Sequence, residues 1–238
     1  LDPKELKQEL DKVYQLISYE FGSPVNSLKS MADLVAMDAA ATGNGLLAES
    51  ARYLQDQVEQ LQQRLRNLIF WADLQVKNYT FRPGPTALDQ CLAQSLAAWA
   101  RPADNKGITL GPAPTTGWMV VADPAMLGLV LHNLVSNAVK FSRRGDSVEV
   151  LAIRLPNGRA QVSVRDTGVG MGPAKLAAVF NPARRNTGRG TANEAGLGLG
   201  LVVAKAIMDL HGCPLALASE QGKGTTATLE LPLAQDEA

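Results

Sequence analysis

The strongest constraint on this chain is an apolar seam that holds helical spacing through the first 76 residues and then stops. Leu6, Leu10, Val13, Ile17, Phe21, Val25, Leu28, Ala32 and Val35 recur in steps of three and four, which places them along one side of an α-helix, close to heptad spacing. Thr42-Gly43-Asn44-Gly45 reads as a turn. The seam then resumes at Leu47, Ala51, Leu54, Val58, Leu61, Leu65, Leu68, Ala72 and Val76 without a slip. Two long helices joined by so short a loop run antiparallel. One hairpin has no second layer on which to bury both seams. Two copies make a four-helix bundle, so the pattern predicts a homodimer.

Phe81-Arg82-Pro83-Gly84-Pro85 ends the pattern and reads as a linker between residues 1–80 and 86–238. Beyond it, helical spacing is expected over about residues 88–103, 124–141 and 199–211. Alternating or β-branched runs predict strands over 118–122, 148–155, 161–165, 215–219 and 225–231. Helices and strands without regular alternation suggest an α+β sandwich. The two parts also differ in charge. Residues 1–80 hold 8 basic and 11 acidic side chains, hence −3, and the remainder holds 15 and 12, hence +3.

Composition narrows the function classes. A balance of 23 basic against 23 acidic residues argues against a nucleic-acid partner or a polybasic membrane surface. Two histidines, His132 and His211, and two cysteines, Cys91 and Cys213, supply neither a structural zinc set nor a disulfide framework. A reducing compartment fits that usage. No apolar run reaches the roughly 18 to 20 residues that span a bilayer, and no signal-peptide pattern opens the chain. Starting at Leu1, it is expected to be a piece of a longer protein.

Three glycine clusters lie in the second part: Asp166-Thr167-Gly168-Val169-Gly170-Met171 after a strand, Gly196-Leu197-Gly198-Leu199-Gly200-Leu201 opening a helix, and Gly222-Lys223-Gly224-Thr225 entering the last strand. Glycine-exposed amides at a helix start suit phosphate. Upstream, Asn133 and Asn137 share one helix face. With Lys140 they are polar groups on an otherwise apolar helix, and Mg²⁺ with phosphates would supply their partners.

These four boxes, in this order over about residues 86–233, resemble the catalytic ATP-binding domain of sensor histidine kinases, the Bergerat fold. The resemblance implies that Asn137 binds Mg²⁺, with Asn133 helping and Lys140 reaching phosphate. It implies that Asp166 reads the adenine amino group, with Gly168, Gly170 and Thr225 shaping the pocket. It implies too that Gly196, Leu197, Gly198, Leu199 and Gly200 begin the helix under the phosphates. Val179-Phe180-Asn181-Pro182 looks like a worn version of the family's Phe-containing box. Residues 184–195, with Arg184, Arg185 and Arg189, look like the lid over ATP. Related ATP hydrolases of the gyrase, heat-shock chaperone and mismatch-repair type place a Glu where Asn133 stands. An amide cannot take a proton from water, which favours the kinase branch.

The family's phosphoacceptor motif resembles Ser-His-Glu-Leu-Arg-Thr-Pro, and this chain reads Ser18-Tyr19-Glu20-Phe21-Gly22-Ser23-Pro24. Tyr19 takes the histidine position. It lies two residues from Ile17, about 200° around the helix, and so faces outward. A phenol near pKa 10 with Glu20 near 4.3 as its base is mismatched by about 8 kcal/mol. An aryl phosphate is also a poor donor to an aspartate. The ordinary phosphorelay is therefore expected to fail. The chain is similar to the tyrosine-bearing kinase homologues of bacterial cell-cycle signalling. That similarity implies the cytoplasmic portion of an inner-membrane-associated, pole-localised protein. It also implies a DivK-like single-domain response regulator and a CckA-like hybrid kinase as partners. Two other readings stay open: an autokinase acting on Tyr19, and a response-regulator phosphatase using Glu20 and Ser23. Gly22, about one turn past Tyr19, lowers helix stability by about 1 kcal/mol relative to Ala and predicts a locally soft bundle. His132 falls inside the Asn-box helix, and His211, before Gly212, is expected to cap a helix end.

Overall fold

The computed structural model describes residues 25–41, 45–76, 79–181, 189–192, 194 and 198–234. The chain divides into two compact units, Leu1–Thr80 and Phe81–Ala238. Tyr19, Glu20, Gly22 and Ser23 lie outside the described residues, as do Arg184, Arg185, Gly196 and Leu197.

In the first unit, residues 25–41 form α1 and Gly45–Val76 form α2. Gln55 Nε2 donates to Asp33 Oδ1 at 2.7 Å, and Gln62 Nε2 donates to Asn26 Oδ1 at 2.9 Å. Residue number rises along one helix as it falls along the other, so the pair is an antiparallel hairpin. The apolar seam is split between two environments. Val25, Ala32 and Ala39, seven residues apart, are buried, and so are Ala51 and Val58. The intervening Leu28, Val35, Leu54 and Leu61 are exposed. Small alanines at the buried positions let the two helices approach closely. The large residues are left outside.

The second unit begins with β1 (Gly84–Ala87), α3 (Leu88–Lys106), β2 (Thr109–Leu110), β3 (Met119–Ala122) and α4 (Pro124–Phe141). It continues with β4 (Ser147–Arg154), β5 (Arg159–Asp166), α5 (Pro173–Ala178), α6 (Gly200–Leu210), β6 (Leu215–Glu220) and β7 (Gly224–Pro232). Five strands form a mixed sheet in the order β2-β4-β5-β7-β6, with β2 parallel to β4 and the other neighbours antiparallel. Strands β1 and β3 form a separate antiparallel pair. Gly84 and Pro85, expected in the linker, therefore open a strand. Proline is tolerated in a two-stranded pair because an edge strand leaves every second amide unpaired.

Helix α4 packs against α3 on one side, α6 on the other, and strands β4 and β5 beneath. Strict alternation feeds this core. Ala160, Val162 and Val164 of β5 and Ala227, Leu229 and Leu231 of β7 are buried, alongside Leu127, Leu131, Ile207 and Met208 from the helices. Each large side chain so buried contributes about 1.5–3 kcal/mol. On the other face of the sheet Leu151 and Ile153 are more than half exposed.

The chain enters this unit over two helix ends. Asp123 caps α4, its Oδ1 accepting from the amides of Ala125 and Met126 at 3.1 Å each. Its Oδ2 accepts from Arg82 N at 2.9 Å. His211, at the end of α6, accepts from Asp123 N through Nε2 at 3.0 Å and donates from Nδ1 to Ile207 O at 2.8 Å. The expected capping role of His211 is realised, and the bonding requires the Nδ1–H tautomer. The Phe81 ring meets the imidazole edge-on at 4.8 Å.

Candidate nucleotide site

Strand parity places the central carboxylate. Even-numbered residues of β5 face the helices, and continuing the alternation past Val164 sends Asp166 inward where an apolar residue would be expected. Its register partner on β7 is Thr225, which faces the same side. Asp166 is 6% exposed. Its Oδ1 accepts from Gly168 N at 2.9 Å and from Thr225 N at 3.2 Å, and among the described residues no hydrogen bond takes Oδ2. Burial pushes the carboxyl up from its ordinary value to about 6, against the lowering effect of the two amides and with a smaller upward push from Asp146.

The glycines of the boxes permit close backbone packing around this carboxylate. A Cβ on Gly168 would stand 2.4 Å from Phe141 O, so the turn after β5 lies directly on the end of α4. Gly170 has φ +59°, and a Cβ there would stand 2.0 Å from Glu220 O. The turn is tied to the β6–β7 connection by Gly222 N donating to Val169 O at 2.8 Å. Asp166, Gly168, Gly170 and Thr225 thus form one cluster at the end of the central strands.

Sequence reasoning missed Ser219, which joins this cluster. Its Oγ accepts from Met171 N at 2.8 Å and donates to Gly224 O at 2.9 Å, while Thr225 Oγ1 lies 2.9 Å away. Because the Ser219 proton goes to Gly224 O, the Thr225 hydroxyl is the donor of that last bond. The signal was the register of β6 on β7, which pairs Ser219 with Thr225.

Asn133 sits in the buried stripe of α4 at 3% exposure. A Cβ on Gly200 would stand 3.1 Å from Asn133 Oδ1, so the start of α6 lies against the Asn-box helix. Leu199 is buried at the N-cap of α6, and Gly198 takes φ +69°. Asn137 and Lys140 are half-buried one and two turns further along α4. The Lys140 ammonium lies 5.1 Å from the centre of the Phe141 ring. No group of three or more His, Cys, Asp or Glu side chains able to hold a metal occurs among the described residues. The asparagines fit Mg²⁺ in another way: an amide oxygen is a hard donor, and the ion ordinarily takes one or two protein oxygens and completes its shell with phosphate and water.

Residues 122–235 match the family of histidine kinase-, DNA gyrase B- and HSP90-like ATPases. Histidine protein kinase DivJ of Caulobacter vibrioides is 27% identical over 91% of this chain, and virulence sensor protein BvgS of Bordetella bronchiseptica is 30% identical over 91%. The chain spans 36% of the first relative's length and 18% of the second's. Among solved structures, full-length ShkA in complex with AMPPNP superposes with a TM-score of 0.66 at 24% identity, covering 97% of this chain and 47% of that one. The mycobacterial sensor histidine kinase MprB superposes with a TM-score of 0.53 at 26% identity, covering 65% of this chain and 98% of that one. The helical hairpin followed by a mixed sandwich is the architecture of histidine-kinase catalytic cores, and the ATPase domain implies ATP binding. Residues 122–235 are thus similar to this ATPase family, and 91% of the chain is similar to two-component sensor histidine kinases.

Proposed function

We propose that this core binds Mg·ATP in its second unit and acts as a dimeric regulatory platform without running a histidine phosphorelay. The observation that carries the nucleotide half is Asp166: a buried carboxylate with two backbone amides on one oxygen. Its other oxygen suits the exocyclic amino group of adenine. Asn137 and Asn133 would hold the ion, which neutralises phosphate charge when bound. Lys140 and the start of α6 would meet the phosphates.

The regulatory half rests on Tyr19. Both histidines belong to the second unit, and both are engaged there. Trp99 Nε1 donates to His132 Nε2 at 3.3 Å, and both nitrogens of His211 are bonded. Neither stands on the first helix, where a phosphoacceptor is required. The exposed Leu28, Val35, Leu54 and Leu61 suit a second copy of the hairpin, giving a four-helix bundle. On this reading the chain resembles DivL, the tyrosine-bearing homologue. It would be the cytoplasmic part of an inner-membrane-associated, pole-localised protein that docks a DivK-like regulator and steers a CckA-like kinase. No helix among the described residues is long and apolar enough to cross a membrane.

Incubation with γ-labelled Mg·ATP tests the proposal. Bound nucleotide with no protein-linked label is expected. An acid-labile label would overturn it. An acid-stable label that disappears in Tyr19→Phe would replace it with a tyrosine autokinase.

A further inference from the structure

Lys106 belongs to none of the glycine or asparagine boxes, yet its ammonium joins two parts of the proposed nucleotide site. It is the last residue of α3, before Gly107 at φ +69°. An ammonium has three N–H donors, and here each finds an acceptor. Lys106 Nζ reaches Val139 O at 3.0 Å, Lys140 O at 2.8 Å and Glu194 Oε1 at 2.6 Å. The first two are among the last carbonyls of the Asn-box helix, its negative end, where a cation is favoured. The third is 88 residues away in sequence. Both side chains are largely shielded, at 13% and 21% exposure, so solvent weakens the pair less than an ordinary surface bridge.

Glu194 passes the attachment on. Its Oε2 accepts from Ala192 N at 2.8 Å, and its carbonyl accepts from Gly190 N at 2.9 Å. Thr191 N donates to Lys140 O at 3.1 Å, and Thr191 Oγ1 donates to Ser142 O. Gly190 lies flat along the Lys140 stem: a Cβ there would stand 2.6 Å from Lys140 Cγ and 2.3 Å from Glu194 Oε2. Residues 189–192 are thereby laid against the side chain that would meet the phosphates.

We propose that Lys106 is a positioning residue for the nucleotide site. By binding the end of α4 and Glu194 together, it confines Lys140 beneath residues 189–192 and so governs how long the phosphate chain is retained. This rests on the reading of the second unit as a Mg·ATP site. The two polar partners act as one device, so removing either should release it.

The test measures dissociation of Mg·ATP and the affinity of adenosine, which has the base but no phosphates. The proteins are wild type, Lys106→Met, Glu194→Gln and the double variant. Each single variant is expected to release Mg·ATP about three- to tenfold faster, with the double variant no faster than either single. Adenosine affinity should be unchanged in all. Wild-type release rates in both single variants would overturn the inference, as would additive effects or an equal loss for adenosine and ATP. A wild-type chain that binds no Mg·ATP would overturn the nucleotide-site reading and this inference with it. Normal wild-type binding with unaffected variants would overturn this inference alone.

Discussion

The two units use the same apolar residue types in opposite ways. In the second unit many of the largest aliphatic side chains are fully buried, among them Leu88, Leu92, Leu127, Leu131, Ile207 and Leu229. In the hairpin the buried apolar residues are Val25, Ala32, Ala39, Ala51 and Val58, while Leu28, Met31, Leu34, Met37 and Leu54 are exposed. A sandwich with a sheet and a helix layer encloses its own core. Two helices cannot, and Leu28 with Val35 on α1 and Leu54 with Leu61 on α2, each pair seven residues apart, form exposed apolar stripes of the kind that mark an interaction surface. One unit encloses its own core, and the other leaves large apolar side chains exposed.

The largest effect should come from breaking the self-contained unit at its tightest point. Gly170→Ala puts a Cβ 2.0 Å from Glu220 O at a positive φ, and it should cost the second unit about 3–5 kcal/mol. Thermal melting would register this, and an unchanged midpoint would show that the turn can move aside. Next, Leu54→Asp places a charge on the outward stripe. It should weaken self-association at least about 100-fold, close to 3 kcal/mol, read by sedimentation equilibrium. Leu151→Asp, equally exposed on the open sheet, should leave association intact. Equal losses from both would erase the distinction between the two surfaces.

Asp166 sharpens the comparison through pH. Its folded carboxyl holds a proton more tightly than an unfolded one. Its contribution is therefore full below about pH 4 and is lost as pH rises through about 6, a change of up to about 3 kcal/mol. Asp166→Asn should remove that dependence from the second unit's melting. The variant should be the more stable protein at pH 7 to 8, while binding ATP at least about tenfold more weakly. A parallel pH response in the hairpin would assign the effect elsewhere. The smallest change is Asp33→Ala, which removes the acceptor of Gln55. It should cost the hairpin about 0.5–1 kcal/mol by chemical denaturation.

What the sequence made legible follows from how far each signal reaches. Helix periodicity located α2 and α4, and alternation located β4, β5 and β7 to within a residue or two, because both patterns are local. The turn glycines were legible as clusters, but the backbone each one touches was not. Strand β1 was hidden because Pro83-Gly84-Pro85 is turn chemistry by composition, and only pairing with β3 makes it extended. Helix α3 runs to Lys106 through Pro102, where composition suggested an earlier end. The six residues of α5 are too few to show a period. Lys106 and Glu194 could not be joined in advance, since nothing local links residues 88 apart.

On the proposed reading, the buried carboxylate would also make nucleotide binding an acid–base event. An amino group bonded to Asp166 favours its ionised form, so near pH 6 the arrival of adenine should expel a proton from the protein. The heat of binding would then vary with the ionisation enthalpy of the buffer. At pH 8, with the carboxyl already ionised, that variation should vanish. A pocket floor set by strand parity would thereby tie nucleotide occupancy to the acidity of the surrounding solution.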